Sequence, residues 1–354
     1  MEIKKIEFKG FRNLFDFSFT PDSNINILMG ANAQGKTNIT EAIWLFTGAK
    51  SFRGAKDREM VGFGKEKAEL KMNFLSQGIE RDAKIEILNK RKAFLDEKPL
   101  KSASHLAGNF CAIVFSPGDL GLVKDGPNVR RKFLDVAIGQ LYPVYIELLK
   151  DYTRAVAQRN KIIKDYKNNS SISEMLDIFE AEIAEKGAKI VEYRKKYCKK
   201  TEPSTAEIYK GISKEKEKLE FSYVSSVEAE YLAEALYNAR KTDMFSGVTS
   251  VGPHRDDLDF KINGISARSF GSQGQKRSIA LSLKLAEAKT IEDIKGEQPV
   301  AILDDVMSEL DPERQDYILN HIKDRQVFIT CCDYSNIKNF EKGTVFNIEA
   351  GRIK

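Results

Sequence analysis

Four cysteines, three histidines and one tryptophan in 354 residues leave little material for a disulfide framework or a metal centre. Cys111, Cys198, Cys331 and Cys332 show no Cys-x-x-Cys or histidine-paired metal spacing. Cys331-Cys332 closes the apolar run Val327-Phe-Ile-Thr, so buried free thiols are the reading preferred over a redox role, and the expected compartment is the reducing cytoplasm. No apolar stretch approaches the roughly 18–20 residues of a membrane span. Met1-Glu-Ile-Lys-Lys leads directly into an alternating strand pattern without the apolar region of a signal peptide. Strong charge of one sign is also missing. With 57 basic against 52 acidic residues, the net charge of +5 permits nucleic-acid contact without demanding it. The 42% hydrophobic and 31% charged content describes an ordinary soluble chain with enough apolar residues for a core, and its length suggests about two domains.

What the chain does have is a short apolar run, Ile25 to Met29, that empties into Gly30, Ala31, Asn32, Ala33, Gln34, Gly35, Lys36 and Thr37. This is the Gly-x4-Gly-Lys-Thr phosphate loop. Its glycines let the backbone turn successive N–H groups toward an anion. Lys36 brings a mobile cation to the β- and γ-phosphates, and the Thr37 hydroxyl is a ligand for Mg²⁺. Asn38 to Phe46 reads as a helix, so the loop opens at a helix N-terminus, where the dipole also favours phosphate. A nucleoside triphosphate is the expected ligand.

The first 120 residues read as β-rich, with Ile3, Ile6 and Phe8 and then Phe15, Phe17 and Phe19 alternating. Short antiparallel strands are expected at Glu69 to Leu75, Asp82 to Leu88 and Ala93 to Leu95, with a turn at Asn89-Lys90, and a further apolar run at Cys111 to Phe115. From Asn128 to about Arg194 the spacing becomes helical, broken at Asn168-Asn169-Ser170 and restarted by the capping box Ser171-x-x-Glu174. Two helices of roughly 25 residues, each about 37 Å long, give a compact lobe and no coiled-coil arm. A third is expected after Ser225-x-x-Glu228, running to about Arg240. The last third returns to α/β: a hairpin at Asn263-Gly264, a helix from Gln275 to Ile291, a strand from Val300 to Leu303, a helix from Pro312 to Lys323 and a strand from Val327 to Thr330.

Val300-Ala-Ile-Leu ends in Asp304 and Asp305. In an open parallel sheet ligands sit beyond the carboxyl ends of strands, which brings both acids to the phosphate loop. Asp304 is the candidate to hold hydrated Mg²⁺ and Asp305 the candidate to polarise the attacking water; the pair alone would be equally a strand-to-turn exit. Ser272, Gln273, Gly274 and Gln275 open the second helix and form a further anion-facing tip, although such a segment alone is an ordinary N-cap. Ser308-Glu-Leu-Asp311 follows the acids and, taken alone, is an N-cap before Pro312.

The loop, the segment Phe270-Gly-Ser-Gln-Gly-Gln275 and the run Leu303-Asp-Asp-Val-Met-Ser-Glu-Leu-Asp311 together resemble the ATP-binding-cassette class of the SMC-head type. More closely, the chain resembles the RecF family of bacterial recombination-repair proteins. Further matches are Lys50-Ser-Phe-Arg53, Phe115-Ser-Pro-Gly-Asp-Leu120, Pro127-Asn-Val-Arg-Arg-Lys-Phe-Leu-Asp135 and Gly252-Pro-His-Arg-Asp-Asp-Leu258. The last two are specific to that family, and agreement is weakest over about residues 145–240. The resemblance implies an α/β P-loop ATPase head, a mixed sheet plus an antiparallel β-subdomain, split into residues 1–125 and 241–354 by a mostly helical lobe at 126–240. It implies ATP and Mg²⁺ as ligands and a two-fold homodimer in which the Ser272–Gln275 tip closes on the partner's nucleotide. It also implies loading onto gapped or single-stranded DNA, a RecR-type partner, help in placing recombinase, and a part in replication and the SOS response.

Two departures from the wider cassette pattern bear on mechanism. Asp305 stands where many such ATPases carry Glu, although Asp is usual in the RecF family. A side chain one methylene shorter predicts slow turnover, suited to a switch. No histidine follows Thr330, where transporters place a γ-phosphate contact; Cys331-Cys332-Asp333 stands there, which argues against a transporter subunit and leaves the sensor open. The DNA surface is not legible, with Arg130-Arg131-Lys132, Lys161 with Lys164 and Lys167, and Lys195-Lys196 with Lys199-Lys200 as candidates, although such basic positions on helices are more often just a solvated face. The chemistry of His254 and Arg255 stays open between turn stabilisation and DNA contact. The rival functions are an ATP- and DNA-binding structural module with little hydrolysis, and a chromosome-organising or nuclease-associated SMC head.

Overall fold

Strands Ala112–Phe115, Val300–Leu303 and Val327–Cys331 are buried along their whole length, and Ile25–Met29 is buried except at its ends. Continuous apolar runs of this kind belong to parallel strands covered on both faces. In the computed structural model, which describes residues 1–165, 172–332 and 343–354, they lie side by side in a six-stranded sheet. Its order is Arg352–Ile353, Thr344–Glu349, Ile25–Met29, Val327–Cys331, Val300–Leu303 and Ala112–Phe115. All neighbours are parallel except the terminal hairpin. Registers Leu28 to Thr330 and Leu303 to Ile329 bring the carboxyl ends of three strands to one edge, where Gly30, Asp304 and Cys331 emerge.

A second six-stranded sheet is antiparallel, in the order Phe17–Phe19, Glu2–Lys9, Ala68–Ser76, Ile79–Ile87, Arg91–Leu95 and Lys98–Pro99. Here burial alternates residue by residue, as the alternating sequence predicts for a sheet with one wet face. The two-residue turn at Gln77 and Gly78 has φ of 51° and 73°, the positive pair whose twist suits a tight hairpin. Both sheets belong to one compact unit: Met1–Leu120, Gly211–Lys214 and Arg277–Lys354.

Gly121–Lys210 and Glu215–Lys276 form the other unit. Its helices are Pro127–Leu141, Pro143–Asp165, the long helix that starts at Ile172, and Leu232–Ser246. It also contains a three-stranded sheet ordered Ile265–Ser266, Asp257–Ile262 and Leu219–Val224. That sheet moves the expected boundaries. Asp257–Ile262 pairs with Leu219–Val224 along its whole length, so residues 241–276 go with the helical unit and the cut falls after Lys276, not after 240. At the other end the cut falls after Leu120 and not after 125.

The expectation of two helices of roughly 25 residues is also corrected. The second is 41 residues, Ile172–Ile212, and passes through Pro203. Pro203 reads as a stop in sequence, yet it lies on the exposed side while Thr201, Thr205 and Tyr209 continue the buried stripe. The expected break at 168–170 and the capping residue Ser171 lie outside the described residues. The third helix starts after a 3₁₀ turn at Ala229–Tyr231 and runs past Arg240 to Ser246, stopped by Gly247 at φ 73°.

The stretches Pro127–Asp135 and Gly252–Leu258, singled out above for their resemblance, lock together inside this unit. Arg130, 1% exposed, makes a two-pronged contact to Asp257 at 2.5 and 2.9 Å and donates to the carbonyls of Leu122 and Asp125. Arg131 donates to the Asp256 carbonyl. Arg194 bridges Asp135 at 2.7 Å and the Pro253 carbonyl at 2.6 Å. Asp256 accepts from Tyr223 and from Ser226 N. Gly252 has φ 121°, and a Cβ there would lie 2.6 Å from the Tyr152 hydroxyl. Arg130 is therefore no DNA contact: a buried guanidinium already paired in two prongs has nothing left to offer a phosphate. A separate buried cluster ties Arg159 to Glu180, Asp243 and Thr249.

His254 belongs to the first network. Its Nε2 lies 3.0 Å from the Thr249 carbonyl, so Nε2 carries the proton and Nδ1 accepts from the Tyr152 hydroxyl at 2.6 Å. Burial pushes its pKa below 6.5. The unfolded chain thus binds the extra proton first, and the stabilisation is complete above about 6.5 and lost as pH falls below it. The melting temperature should fall between pH 7.5 and 5.5, with a shallower slope in His254→Asn; equal slopes measured by circular dichroism would contradict this account.

Candidate nucleotide-binding site

The loop leaves the sheet at Gly30, whose φ is not in the left-handed region. What requires glycine is space: a Cβ on Gly30 would sit 2.2 Å from the Ile348 carbonyl of the neighbouring strand. Gly35, at φ 110°, is the N-cap of helix Lys36–Leu45, and there the backbone itself requires glycine. Ala33 between them is also left-handed, at φ 64°. Side chains and the terminal hairpin hold this shape. Asn13 Nδ2 donates to the Ala33 carbonyl at 3.0 Å, Gly351 N donates to the Gln34 carbonyl at 3.0 Å, and Ala350 N donates to Gln34 Oε1 at 2.5 Å.

The loop borders an open cavity of about 290 Å³ lined by Asn13, Asn32, Ala33, Gly35, Lys36, Thr37, Asn38, Arg53 and Asp305. Lys36 is folded back, its Nζ donating to the carbonyls of Gly30 at 2.6 Å and Ala31 at 2.9 Å and lying 3.5 Å from Cys332 Sγ. Cys332 Sγ in turn lies 2.9 Å from Asn32 Oδ1, and Asp333 lies outside the described residues.

Asp304 is 5% exposed and sits among hydroxyls: Thr40 Oγ1 and Thr330 Oγ1 each donate to its Oδ1 at 3.2 Å, and Thr37 also bonds it. Burial nonetheless raises its pKa, with those bonds opposing and the Asp305 charge adding to the rise. Thr330 Oγ1 also accepts from Asp305 N at 2.9 Å. Asp305 is left-handed at φ 53°, a backbone state costing about 1–2 kcal/mol outside glycine, and it lines the cavity. The sequence-predicted residues of the loop, Asp304 and Asp305 are thus brought together. A threonine hydroxyl and a carboxylate are hard oxygen donors of the kind Mg²⁺ takes, so Thr37 and Asp304 fit that ion.

Sequence reading missed the layer behind the loop. Glu41 on the loop helix is fully buried and accepts two prongs from Arg12 at 2.9 and 2.8 Å and a bond from Ser51. Arg53 lies 3.6 Å from the same carboxylate, donates to Asn38 Oδ1 at 2.9 Å, and presents a second cation to the cavity. Ser51 and Arg53 belong to the Lys50–Arg53 match, which carried the signal without a role. Asn13 had none, because a polar residue just past a strand reads as a turn.

The Ser272–Gln275 tip lies in the other compact unit and is not among the residues lining the cavity. It forms a reciprocal cap for helix Gln273–Lys295: Gln275 N donates to Ser272 Oγ at 3.2 Å and Ser272 N to Gln275 Oε1 at 2.7 Å. Gln275 Nε2 also donates to Glu217. Asp311 caps helix Pro312–Ile322 through Arg314 N, as its place before Pro312 predicts. Among the described residues no helix is long and apolar enough to cross a membrane.

A strand-to-loop-to-helix phosphate cradle with paired acids on a neighbouring parallel strand defines a P-loop ATPase of the SMC-head class, and residues 2–352 match the model of the RecF/RecN/SMC N terminal domain. Within that class the chain belongs to the RecF family. It is 39% identical to the DNA replication and repair protein RecF of Clostridium acetobutylicum, over 100% of this chain and 99% of that protein. With the RecF of Agathobacter rectalis it shares 36% identity over 100% and 99%. The solved structure of the recombination mediator protein RecF with ATP, in the RecFOR pathway, superposes with a TM-score of 0.93 at 35% identity, covering 100% of this chain and 97% of that one. The Smc head domain of Pyrococcus furiosus bound to the C-terminal domain of ScpA, at TM-score 0.56 and 17% identity over 100% and 95%, shares the fold alone.

Two substitutions test the geometry. Gly30→Ala should force the Ile348 strand away and cost about 1–3 kcal/mol or more in urea unfolding; unchanged stability would contradict the close approach. Thr330→Val removes a bond to Asp304 and one to Asp305 N, and should slow ATP hydrolysis about 10- to 100-fold with nucleotide affinity nearly retained. Wild-type turnover in a phosphate-release assay would refute that role.

Proposed function

We propose that this protein is an ATP-gated DNA clamp of recombinational repair, a homodimer closed around nucleotide whose grip on gapped or single-stranded DNA follows the state of the γ-phosphate. The observation that carries the reading is the formed phosphate cradle with Asp304 beside it, in a chain alike from end to end to a RecF structure that contains ATP. Gly30 to Thr37 receive the phosphates through backbone N–H groups, and Lys36 exchanges the carbonyls of Gly30 and Ala31 for phosphate oxygens. Thr37 and Asp304 would hold Mg²⁺, which when bound screens phosphate charge. Asp305, fixed by Thr330, orients the attacking water and takes its proton. Arg53 faces the same cavity as an added cation.

The second copy supplies Ser272 to Gln275, whose exposed helix end suits a γ-phosphate approached from outside. Closure then orders the DNA surface, and slow, DNA-stimulated hydrolysis releases it. A RecR-type mediator as partner, help in placing recombinase, a part in replication and the SOS response, and a cytoplasmic setting complete the reading.

Lys36→Ala should lose ATP binding. Ser272→Arg should keep ATP binding and lose ATP-induced dimers in sedimentation. Gapped DNA should be held more tightly with ATP than with ADP or no nucleotide, and turnover should stay well below roughly 10 per second. A wild-type chain that stays monomeric with ATP and holds DNA equally well in every nucleotide state would overturn the clamp.

A further inference from the structure

Phe63 stands clear of the protein, its relative exposure 107%. It occupies the second position of a turn closed by Lys65 N donating to the Gly62 carbonyl at 2.9 Å, with Gly64 at φ 73°. The turn is not loose. Gly62 N donates to the Gly10 carbonyl at 2.8 Å, Arg12 N donates to the Met60 carbonyl at 2.9 Å, and Phe11 bridges Val61. The backbones are packed so closely that a Cβ on Gly62 would lie 2.8 Å from the Arg12 carbonyl. A phenyl ring is thus held in water on a rigid strap, an arrangement that contributes nothing to the core.

Its surroundings are cationic. Lys9, Arg58, Lys65 and Lys67 are all exposed around the strap. Of the nearby acids, Asp57 is paired with Arg91 at 3.0 Å, while Asp16 and Glu59 accept from the backbone N–H groups of Gly10 and Lys56 and, with Glu66, keep their charge beside the four cations. A protein-docking hot spot would sit in an apolar patch depleted of charge, whereas one ring among lysines is the composition of a base-stacking site. The strap is also wired to the nucleotide site: Arg12 donates to the Glu59 carbonyl and to Glu41 on the loop helix, and the next residue, Asn13, lines the cavity.

We propose that Phe63 is a stacking platform for a base exposed where double-stranded DNA gives way to single strand, with Lys65, Lys67, Lys9 and Arg58 contacting the flanking phosphates. This rests on the reading of the protein as a DNA clamp and names the part of the DNA it reads. Every base offers a face to stack on, so the contact is indifferent to sequence, and an intact duplex interior offers none.

Trp44 is buried, so Phe63→Trp adds one solvent-exposed indole to the full-length chain. Gapped oligonucleotide in the presence of ATP should quench the emission of that introduced indole, and Phe63→Ala should weaken gapped-DNA binding about tenfold with ATP binding unchanged. If wild-type protein binds gapped DNA but Phe63→Ala binds it equally and the introduced indole is not quenched, the stacking role is overturned and the clamp reading stands. If wild-type protein binds no DNA, both fall. Loss of ATP-dependent self-association in Phe63→Ala, with DNA binding intact, would overturn the proposal and assign the ring to a second copy of this chain.

Discussion

The carboxylate of Asp304 joins segments that are hundreds of residues apart. Thr37 and Thr40 reach it from the loop helix, and Thr330 reaches it from the adjacent strand. These donors do not balance the loss of water, since desolvation is the largest effect on Asp304 and raises its pKa despite them. A neighbouring acid, Asp305, pushes in the same direction. Neutral hydroxyls can orient a buried carboxylate but cannot neutralise it. The Thr37 oxygen stands beside that carboxylate. Thr330 serves both acids, bonding the Asp304 side chain and the Asp305 backbone, so the position of the second acid depends on the first being satisfied.

Glu41 does for the back of the loop what Asp304 does for its front. It is fully buried, and a buried carboxylate stripped of its partner is costly by about 3–5 kcal/mol, so Arg12 and Ser51 are held tightly in place. Through Arg12 the loop helix is joined to the strap that ends in Phe63, and through Arg53 the same carboxylate faces the cavity. A shift of the loop helix therefore has two routes outward. The one through Arg12 runs through charge-assisted hydrogen bonds, which resist stretching more than apolar packing does, and the one through Arg53 is an ion pair at 3.6 Å.

Four strands of the central sheet were readable because each is a buried apolar run, two of them closed by a polar signal, Gly30 after Met29 and Asp304 after Leu303, whereas the largely exposed Thr344–Glu349 and Arg352–Ile353 were not. The antiparallel sheet was readable from alternation, as in Glu69 to Leu75. Legibility failed where a local signal competed with tertiary context. Pro203 spoke for a helix end that the buried face of Thr201, Thr205 and Tyr209 overrode. Leu219–Val224 does alternate, but its pairing with Asp257–Ile262 is a long-range event that no local pattern announces. In the site, the residues of the loop and the two acids were legible because their chemistry dictates their spacing. Asn13, Glu41 and Thr330 were not, because second-layer partners need only be near in space.

The stretches Pro127–Asp135 and Gly252–Leu258 are joined by an ion pair of the buried Arg130. Arg130 and Asp257 are 127 residues apart in sequence, and their pairing closes a loop of that length within one compact unit. Closing so long a loop is entropically expensive once, but lengthening it further adds little. The closure also has a strict stereochemistry. Gly252 must leave room for the Tyr152 hydroxyl, the Pro253 carbonyl must meet Arg194, and neutral His254 must donate to Thr249 while accepting from Tyr152. Each requirement excludes nearly all other residue types, which is what makes the motif sharp. Arg130 is consumed internally by this closure, whereas Lys132 and Arg255 of the same stretches remain exposed. The cations available to DNA are those that stand in water, Lys132 and Arg255 as well as Lys9, Lys65 and Lys67.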